Sequence, residues 1–572
     1  MDKHAVARVL EEISAFLELR GENVFKVRAF QNAARTVEAF PGDLDAALSS
    51  GELAATKGIG PATLDVVREC LASGSSGALE TLRGEVPPGL VEMLRIAGMG
   101  VAKVRTVHEE LGIATLAELE SAARDGRLAK LPRFGEKTAA KVLKGLEFLR
   151  RTSAFRLAHH AARQAEQLRE AIAALPGVAR VAIAGSVRRR CEVIRDVDLA
   201  VATDALPQEL GERLVRSGAA HSVVATDPAG ITIRFADGTT ADVYCAAPPR
   251  YGHALAWATG SAAHLALLVA HAASRGFALD ADGLSKNGAL VPCPDEETFF
   301  EALGLGFIPP ELREGTDEIA RAAAGPLPRL LERSELRGLL HCHTTYSDGT
   351  NSVVELAEAC RALGYAYLGI TDHSEAAAYA GGLSAARVAR QHEEIDAWNS
   401  ASRGLRVLKG IEADILADGT LDYGPEVLDS FDFVIGFVHS RFDLDERTMT
   451  ERVLRAMADR HLTILGHPTG RLLLTRDPYP LDVHRVIARA AETGVAIEIN
   501  GDPQRLDLDW RLCREARDAG VAIAVSTDAH SLAGLANADL GVGIARKGWL
   551  EAKDVLNTRD AEGFLEHAKA RR

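Results

Sequence analysis

The 572-residue sequence is poor in cysteine and has no pair of the CxxC kind. Its seven cysteines, at positions 70, 191, 245, 293, 342, 360 and 513, are scattered and odd in number. That argues against a disulfide framework or a cysteine-rich zinc site, and suits a reducing cytoplasm. No apolar run approaches the roughly twenty residues that a bilayer span requires, so no membrane partner is expected. The opening MDKHAVARVLEEISAFL lacks the basic start and apolar middle of a signal peptide and reads instead as an amphipathic helix. An excess of positive charge is also missing: 66 Lys and Arg face 80 Asp and Glu, a net charge of −14. Wholesale coating of nucleic acid is therefore not expected, and any contact with it must use local basic surfaces. What is present is a globular composition, 47% hydrophobic and 26% charged, in a chain long enough for about three to five domains.

From about residue 335 onward a unit recurs: a short apolar run, a polar tip, then a helix-like segment. The runs are LRGLLHCH, YAYLGITDH, RVLKGIEAD, FDFVIGFVHS, LTILGHPTG, GVAIEINGD and VAIAVSTDAH. They end roughly thirty residues apart, as βα units of a parallel sheet do. Seven in succession suggest a closed barrel with its site at the C-terminal strand ends, a doubly wound sheet being the alternative. His341, His343, Asp348, His373, Glu412, His439, His467, Asp528 and His530 all lie at or just after those runs. On a strand, His341 and His343 share one face and Cys342 takes the other. A single histidine at a strand tip is usually an ordinary hydrogen-bonding residue. Six histidines and three acids on one rim, without a cation, would leave carboxylates repelling and imidazoles unpartnered. Imidazole with carboxylate suits Zn²⁺, Mn²⁺ or Fe²⁺, and nine ligands are too many for one ion.

The set HxH, Asp348, TDHS, GIEADI, VHS, GHPTG and STDAH resembles the PHP (polymerase and histidinol phosphatase) superfamily across about 235 residues. The resemblance implies a distorted (β/α)7 barrel holding two or three Mn²⁺, Zn²⁺ or Fe²⁺ ions and hydrolysing phosphoesters. Arg471, just after His467, is a candidate phosphate contact, with a solvent-exposed arginine as the alternative.

In the segment VAIAGSVRRRCEVIRDVDLAVAT two apolar runs bracket a glycine turn and an arginine cluster. Asp196 and Asp198 are two apart, so on a strand they share a face, and Asp242 lies in the second arm of a hairpin around DGTT. Three carboxylates on adjacent strands are what a pair of Mg²⁺ or Mn²⁺ ions requires. Gly185 and Ser186 can donate to phosphates, with Arg188 or Arg189 as charge partner. This segment resembles the nucleotidyltransferase palm of family X DNA polymerases, the DNA polymerase beta relatives. WATGS is similar to that family's YFTGS turn, which implies nucleotide contacts at Gly260 and Ser261, and LGLGFIPPELREG resembles the end of its thumb.

Residues 1–150 carry three candidate helix-hairpin-helix turns, with Gly58 and Gly60, Gly98 and Gly100, and Arg133 and Gly135. A Gly-hydrophobic-Gly turn exposes backbone N–H groups that bind a DNA phosphate without reading sequence. Singly, each glycine could be a helix cap. After the third turn Lys137, Lys141 and Lys144 fall on one helical face, placed to touch phosphate.

Two departures from the family stand out. Val66 occupies the position of the lyase lysine, so no Schiff-base chemistry is expected there. Ala262, Leu265 and Val269 replace the basic residues that relatives carry after the GS turn, which predicts weak polymerisation beside a more robust nuclease.

The expected organisation is multidomain α and α/β. A helical helix-hairpin-helix domain covers 1–85, a fingers-type helix-hairpin-helix region 86–151, an α+β palm 152–250, a thumb 251–325, a linker 326–335 and a PHP barrel 336–572. The expected function is a cytoplasmic, monomeric family X DNA polymerase that fills short gaps in base excision repair. Its substrates are dNTPs and gapped or nicked duplex with a 3′ end. A PHP 3′–5′ exonuclease, with abasic-site endonuclease or 3′-phosphatase activity as further options, completes it. The alternatives are a nuclease whose polymerase part serves as a DNA clamp, a small-molecule phosphoesterase, and a non-catalytic DNA-end scaffold.

Overall fold

Up to Ala154 the described residues form helices and turns alone. The computed structural model describes residues 3–38, 40, 44–73, 76–401 and 404–572. It falls into two units, Met1–Ala154 and Phe155–Arg572. In the first, Lys3–Leu19 buries Leu10, Ile13, Phe16 and Leu17, a spacing of three and four that makes one apolar face, packed on the helix Val24–Glu38. The helix Glu136–Thr152 buries Ala139, Val142, Leu146 and Leu149 and leaves Lys137, Lys141 and Lys144 exposed on the other side. Val66 is a core residue, 4% exposed.

The second unit begins with a five-stranded sheet. Its order is Val178–Ile183, Val197–Thr203, Thr240–Ala246, Gly230–Arg234 and Ser222–Asp227. The second and third strands are parallel and the other pairs antiparallel. Strand alternation divides Val197–Thr203 between two cores. Leu199 and Val201 join Ala161, Ala165 and Leu168 of the helix Ala158–Ala173, while Ala200 and Ala202 meet Tyr251, Leu255 and Ala258 of the helix Tyr251–Thr259. Asp198 thus shares the face of its strand that carries those two alanines.

The barrel is built entirely from parallel strands: Gly338–Cys342, Tyr367–Ile370, Arg406–Lys409, Glu412–Asp414, Val434–Phe437, Leu462–Leu465, Ala496–Asn500 and Ile523–Ser526. Residues 406–414 are one strand bent at Gly410–Ile411. Its first half pairs back to 367–370 and its second half forward to 434–437, so seven runs supply the wall. Closure comes where Cys342 bridges Ala529 and His343 N–H donates to the Ala529 carbonyl at 2.8 Å. Leu340, Tyr367, Leu408, Phe433, Phe437 and Ile464 fill the interior, and Phe564 of the C-terminal helix packs with them. The barrel is therefore a filled core, and polar chemistry is confined to the strand ends. The 326–335 segment is docked, with Leu330 and Leu331 buried and Leu331 N–H donating to the Leu550 carbonyl at 2.9 Å. All seven cysteines are free.

Candidate active sites and nucleic-acid interface

Parallel pairing of 197–203 with 240–246 sets Asp198 directly beside Asp242. Asp196 is one residue ahead of the strand rather than in it, so the expected strand-face argument covers Asp198 and Asp242 but not Asp196. Asp196 nevertheless lies near enough to act on Asp198. Burial, then Asp196 and Asp242, push the Asp198 carboxyl up to about 7. A buried acid crowded by two others is poised to accept a cation, which fits a divalent metal. Asp242 is oriented by the Thr232 hydroxyl, which donates to it at 2.6 Å.

Gly185 has φ +57°, and a Cβ built there would lie 1.8 Å from the Asp198 carboxylate. The GS turn can press against the acids only because residue 185 has no side chain. Gly185, Ser186, Arg189, Asp196, Asp198, Gly260 and Ser261 all line one open cleft of about 450 Å³. The Ser261 hydroxyl caps the helix Ala262–Ser274 by accepting from His264 N–H. The two arginines are placed differently. Arg188 is held in a two-point pair with the buried Glu296 at 2.8 and 2.6 Å, whereas Arg189 faces the cleft.

At the barrel rim the nine candidate residues converge in three groups, the first two sharing His343: His343, Asp348, His373 and His530; His341, His343 and Asp528; Glu412, His439 and His467. Glu412 lies at their centre. Its Oε2 is 3.5, 3.4 and 3.1 Å from His341, His343 and His373, and its Oε1 is 3.1 and 3.6 Å from His439 and His467. Burial alone would raise the Glu412 carboxyl, yet the imidazoles, His373 foremost, hold it well below the usual carboxylate range. His341 Nε2, both nitrogens of His343 and of His467, His373 Nδ1 and Glu412 Oε2 are buried without a hydrogen bond. Each such atom costs about 1–3 kcal/mol, a penalty that coordination removes. The donor set fits borderline divalent ions such as Zn²⁺, Mn²⁺ and Fe²⁺.

The expected regular HCH strand is not what forms. Pairing slips between Leu339 and Cys342, and His341 takes φ +61°. Asp528 is also left-handed, at φ +49°. Such backbone persists where surrounding bonds over-determine it, and at a ligand cluster it aims side chains that a regular strand would misdirect. Sequence reasoning also missed the partners behind the cluster. The fully buried Glu498 receives His341 Nδ1 at 2.6 Å, Asp414 receives His439 Nδ1 at 2.5 Å, and Asn500 donates to Asp528 at 3.1 Å. These contacts turn the opposite ring nitrogens toward the cage. Asp372 accepts from Thr344 N–H and hydroxyl at 2.8 and 2.7 Å, tying the turn that carries Asp348. A carboxylate inside an apolar run, as in AIEIN, was the available signal for Glu498. Arg471 serves neither expected role: it is 9% exposed and holds the 505–509 segment through the Arg505 carbonyl and Asp509. The cation beside the cage is Arg505, 3.2 Å from Asp528.

In the first unit the three turns share one backbone form. Gly58, Gly98 and Arg133 have φ +103°, +81° and +68°, and the residues between the paired positions, Ile59, Met99 and Phe134, are buried. Gly100 and Gly135 are the N-caps of the helices that follow, and Gly60 immediately precedes the helix starting at Pro61. Arg133 bears the strain that glycine avoids. Arg133→Gly is expected to stabilise the helix Glu136–Thr152 by about 1 kcal/mol, read by hydrogen exchange, while lowering the salt slope of duplex binding by about one.

The two sites define a class: a nucleotidyltransferase carboxylate triad joined to a PHP-type rim of imidazoles and acids. Family comparison agrees. Residues 1–76 match a helix-hairpin-helix domain, 90–147 a SAM-like helix-hairpin-helix tandem, 254–314 the DNA polymerase beta thumb and 340–501 the PHP domain. The DNA polymerase/3′-5′ exonuclease PolX of Bacillus subtilis (strain 168) is 37% identical over 574 residues, 99% of each chain. Probable phosphatases of Thermoanaerobacter sp. (strain X514) and Acetivibrio thermocellus are each 28% identical. They match over 183 and 203 residues, which is 30% and 33% of this chain and 70% and 78% of theirs. The chain belongs to the PolX family, family X DNA polymerases with a C-terminal PHP domain.

Proposed function

We propose that the chain repairs short gaps in DNA, extending a 3′ end at one site and trimming it at the other. Membership of the PolX family makes it a DNA polymerase and 3′–5′ exonuclease; the single observation that carries the finer reading is the separation of the cleft, where Asp198 pairs in register with Asp242, from the rim cluster of imidazoles and acids. No helix among the described residues is long and apolar enough to cross a membrane.

In the cleft, Asp196, Asp198 and Asp242 would hold Mg²⁺ or Mn²⁺, which neutralises phosphate charge and lowers the pKa of the primer hydroxyl. Arg189, Ser186 and the Gly185 backbone receive the triphosphate of a dNTP, and the Gly260–Ser261 turn meets its sugar. Thr232 fixes the direction of Asp242. At the rim, His341, His343, Asp348, His373, Glu412, His439, His467, Asp528 and His530 would hold two or three Mn²⁺, Zn²⁺ or Fe²⁺ ions, which supply a nucleophilic water and charge stabilisation. Arg505 adds a cation for the scissile phosphate. Tyr379, 72% exposed, stands 6.2 and 6.1 Å from His373 and His439 and offers a face on which a terminal base can stack. The turns at Gly58, Gly60, Gly98, Gly100 and Gly135, with Lys137, hold duplex phosphates.

One observation favours weak extension beside stronger trimming: Ala262 and Leu265 line the cleft where a cation would grip template or nucleotide. A gapped duplex is expected to be filled when dNTPs and Mn²⁺ are present and shortened from its 3′ end when dNTPs are withheld, with EDTA stopping both. Binding is expected to weaken steeply from about 50 to about 200 mM salt. Hydrolysis of small phosphomonoesters with salt-independent DNA affinity would instead favour a small-molecule phosphatase.

A further inference from the structure

Behind the polymerase cleft lies a buried lysine that comes from the barrel. The helix Ala538–Lys547 packs on the barrel strands Ala496–Asn500 and Ile523–Ser526. Its last residue, Lys547, is 1% exposed. The ammonium donates to the Arg189 backbone carbonyl at 3.0 Å and to the Glu314 carboxylate, and it lies 4.7 Å over the Trp510 ring. The same Glu314 oxygen accepts from Arg189 Nε at 2.8 Å, and Arg189 Nη1 donates to the Thr259 carbonyl at 2.8 Å. Burial would raise the Glu314 carboxyl, but Lys547 and Arg189 outweigh it and keep it ionised.

We infer that Lys547 of the barrel is a positioning residue for dNTP binding in the polymerase cleft, acting through Glu314 on Arg189. The physical case has two parts. An arginine fork is aimed by its anchor, and here Nε and Nη1 are occupied behind the cleft, while Nη2 has only a weak, 3.9 Å contact with Cys191 Sγ in the cleft wall, which a phosphate oxygen can replace. Charge supplies the second part. Arg189 paired with Glu314 alone sums to zero and would attract a triphosphate poorly, whereas Lys547 restores one net positive charge. A buried ammonium that reaches both the backbone and the anchor of a cleft arginine needs a reason beyond packing, because its desolvation is costly. Further contacts join the same surfaces: Arg546 pairs with Glu311 at 2.7 Å, Arg514 with Asp317 at 2.7 Å, and Gly543 passes close to the Arg190 side chain. The polymerase site is thus completed by a residue of the nuclease domain.

This inference rests on the polymerase reading above. The test uses the full chain and the variants Lys547→Met, which keeps the stem on Trp510, and Lys547→Arg. Single-nucleotide gap filling is followed against dNTP concentration, with equilibrium dNTP binding and 3′-end trimming measured on the same preparations. For Lys547→Met the expected result is a dNTP KM and dissociation constant raised roughly 10- to 100-fold, with kcat changed far less and trimming unchanged. Lys547→Arg should recover most of the affinity. An unaltered KM in Lys547→Met would overturn the inference. So would a parallel loss of extension and trimming that Lys547→Arg does not restore, since that would make Lys547 merely structural. A wild-type chain that trims DNA but extends nothing would instead remove the polymerase reading itself, and this inference with it.

Discussion

Replacing Asp198 with alanine is expected to lower gap filling by about 10³-fold or more while 3′-end trimming continues at the wild-type rate. The size of the effect follows from where Asp198 stands. It is paired in register with Asp242, crowded by Asp196, and buried against a glycine that leaves no room for a side chain. Removing it takes away the central member of the triad, and Asp242 is not free to take its place because Thr232 holds it. The measurement is single-turnover extension on a one-nucleotide gap, with trimming assayed on the same protein. Gly185→Ala should approach the same loss from the other side, since its methyl must displace the Asp198 carboxylate. Extension that survived Asp198→Ala would remove the triad from the reaction. Loss of both activities in a folded protein would end the idea of two separate sites.

Glu412→Gln is expected to do the reverse, cutting trimming by about 10³-fold and leaving gap filling intact. Its two oxygens link the groups, approaching His341, His343, His373, His439 and His467. An amide keeps the shape but loses the negative charge and offers only one oxygen, so bound metal per chain should fall along with activity. Metal content measured on purified protein separates this from a local packing effect. The neighbouring Glu498→Gln acts through His341 Nδ1, the His467 amide and the Asn500 side chain rather than as a ligand, and its loss should be nearer 10- to 100-fold. A Glu412→Gln protein with full metal content and full trimming would show that the rim is not the nuclease centre.

Much of this protein was legible along the chain because the relevant signals are local. A polar tip ending an apolar run marks a strand end, and seven such tips in series suggested a barrel that the structure shows. A Gly-hydrophobic-Gly triplet marks a turn, and even Arg133 takes the left-handed backbone of the glycine it replaces. The alternation that put Asp198 on one face held, whereas Asp196 fell outside its strand.

What the sequence determined alone was the kind of chemistry: acids with a glycine-serine turn for one site, imidazoles with acids for the other. Only tertiary structure decided which groups act together. It turned Arg189 to the cleft and Arg188 to Glu296, buried Arg471 and brought Arg505 to Asp528. It put Glu498 and Asp414 behind their histidines, and it set Lys547 against residues more than two hundred positions away. The reason is physical. A residue's type and its nearest neighbours fix what it can donate, accept or ligate, but its partner depends on which distant strands and helices share a core. That is set by burial over the whole chain.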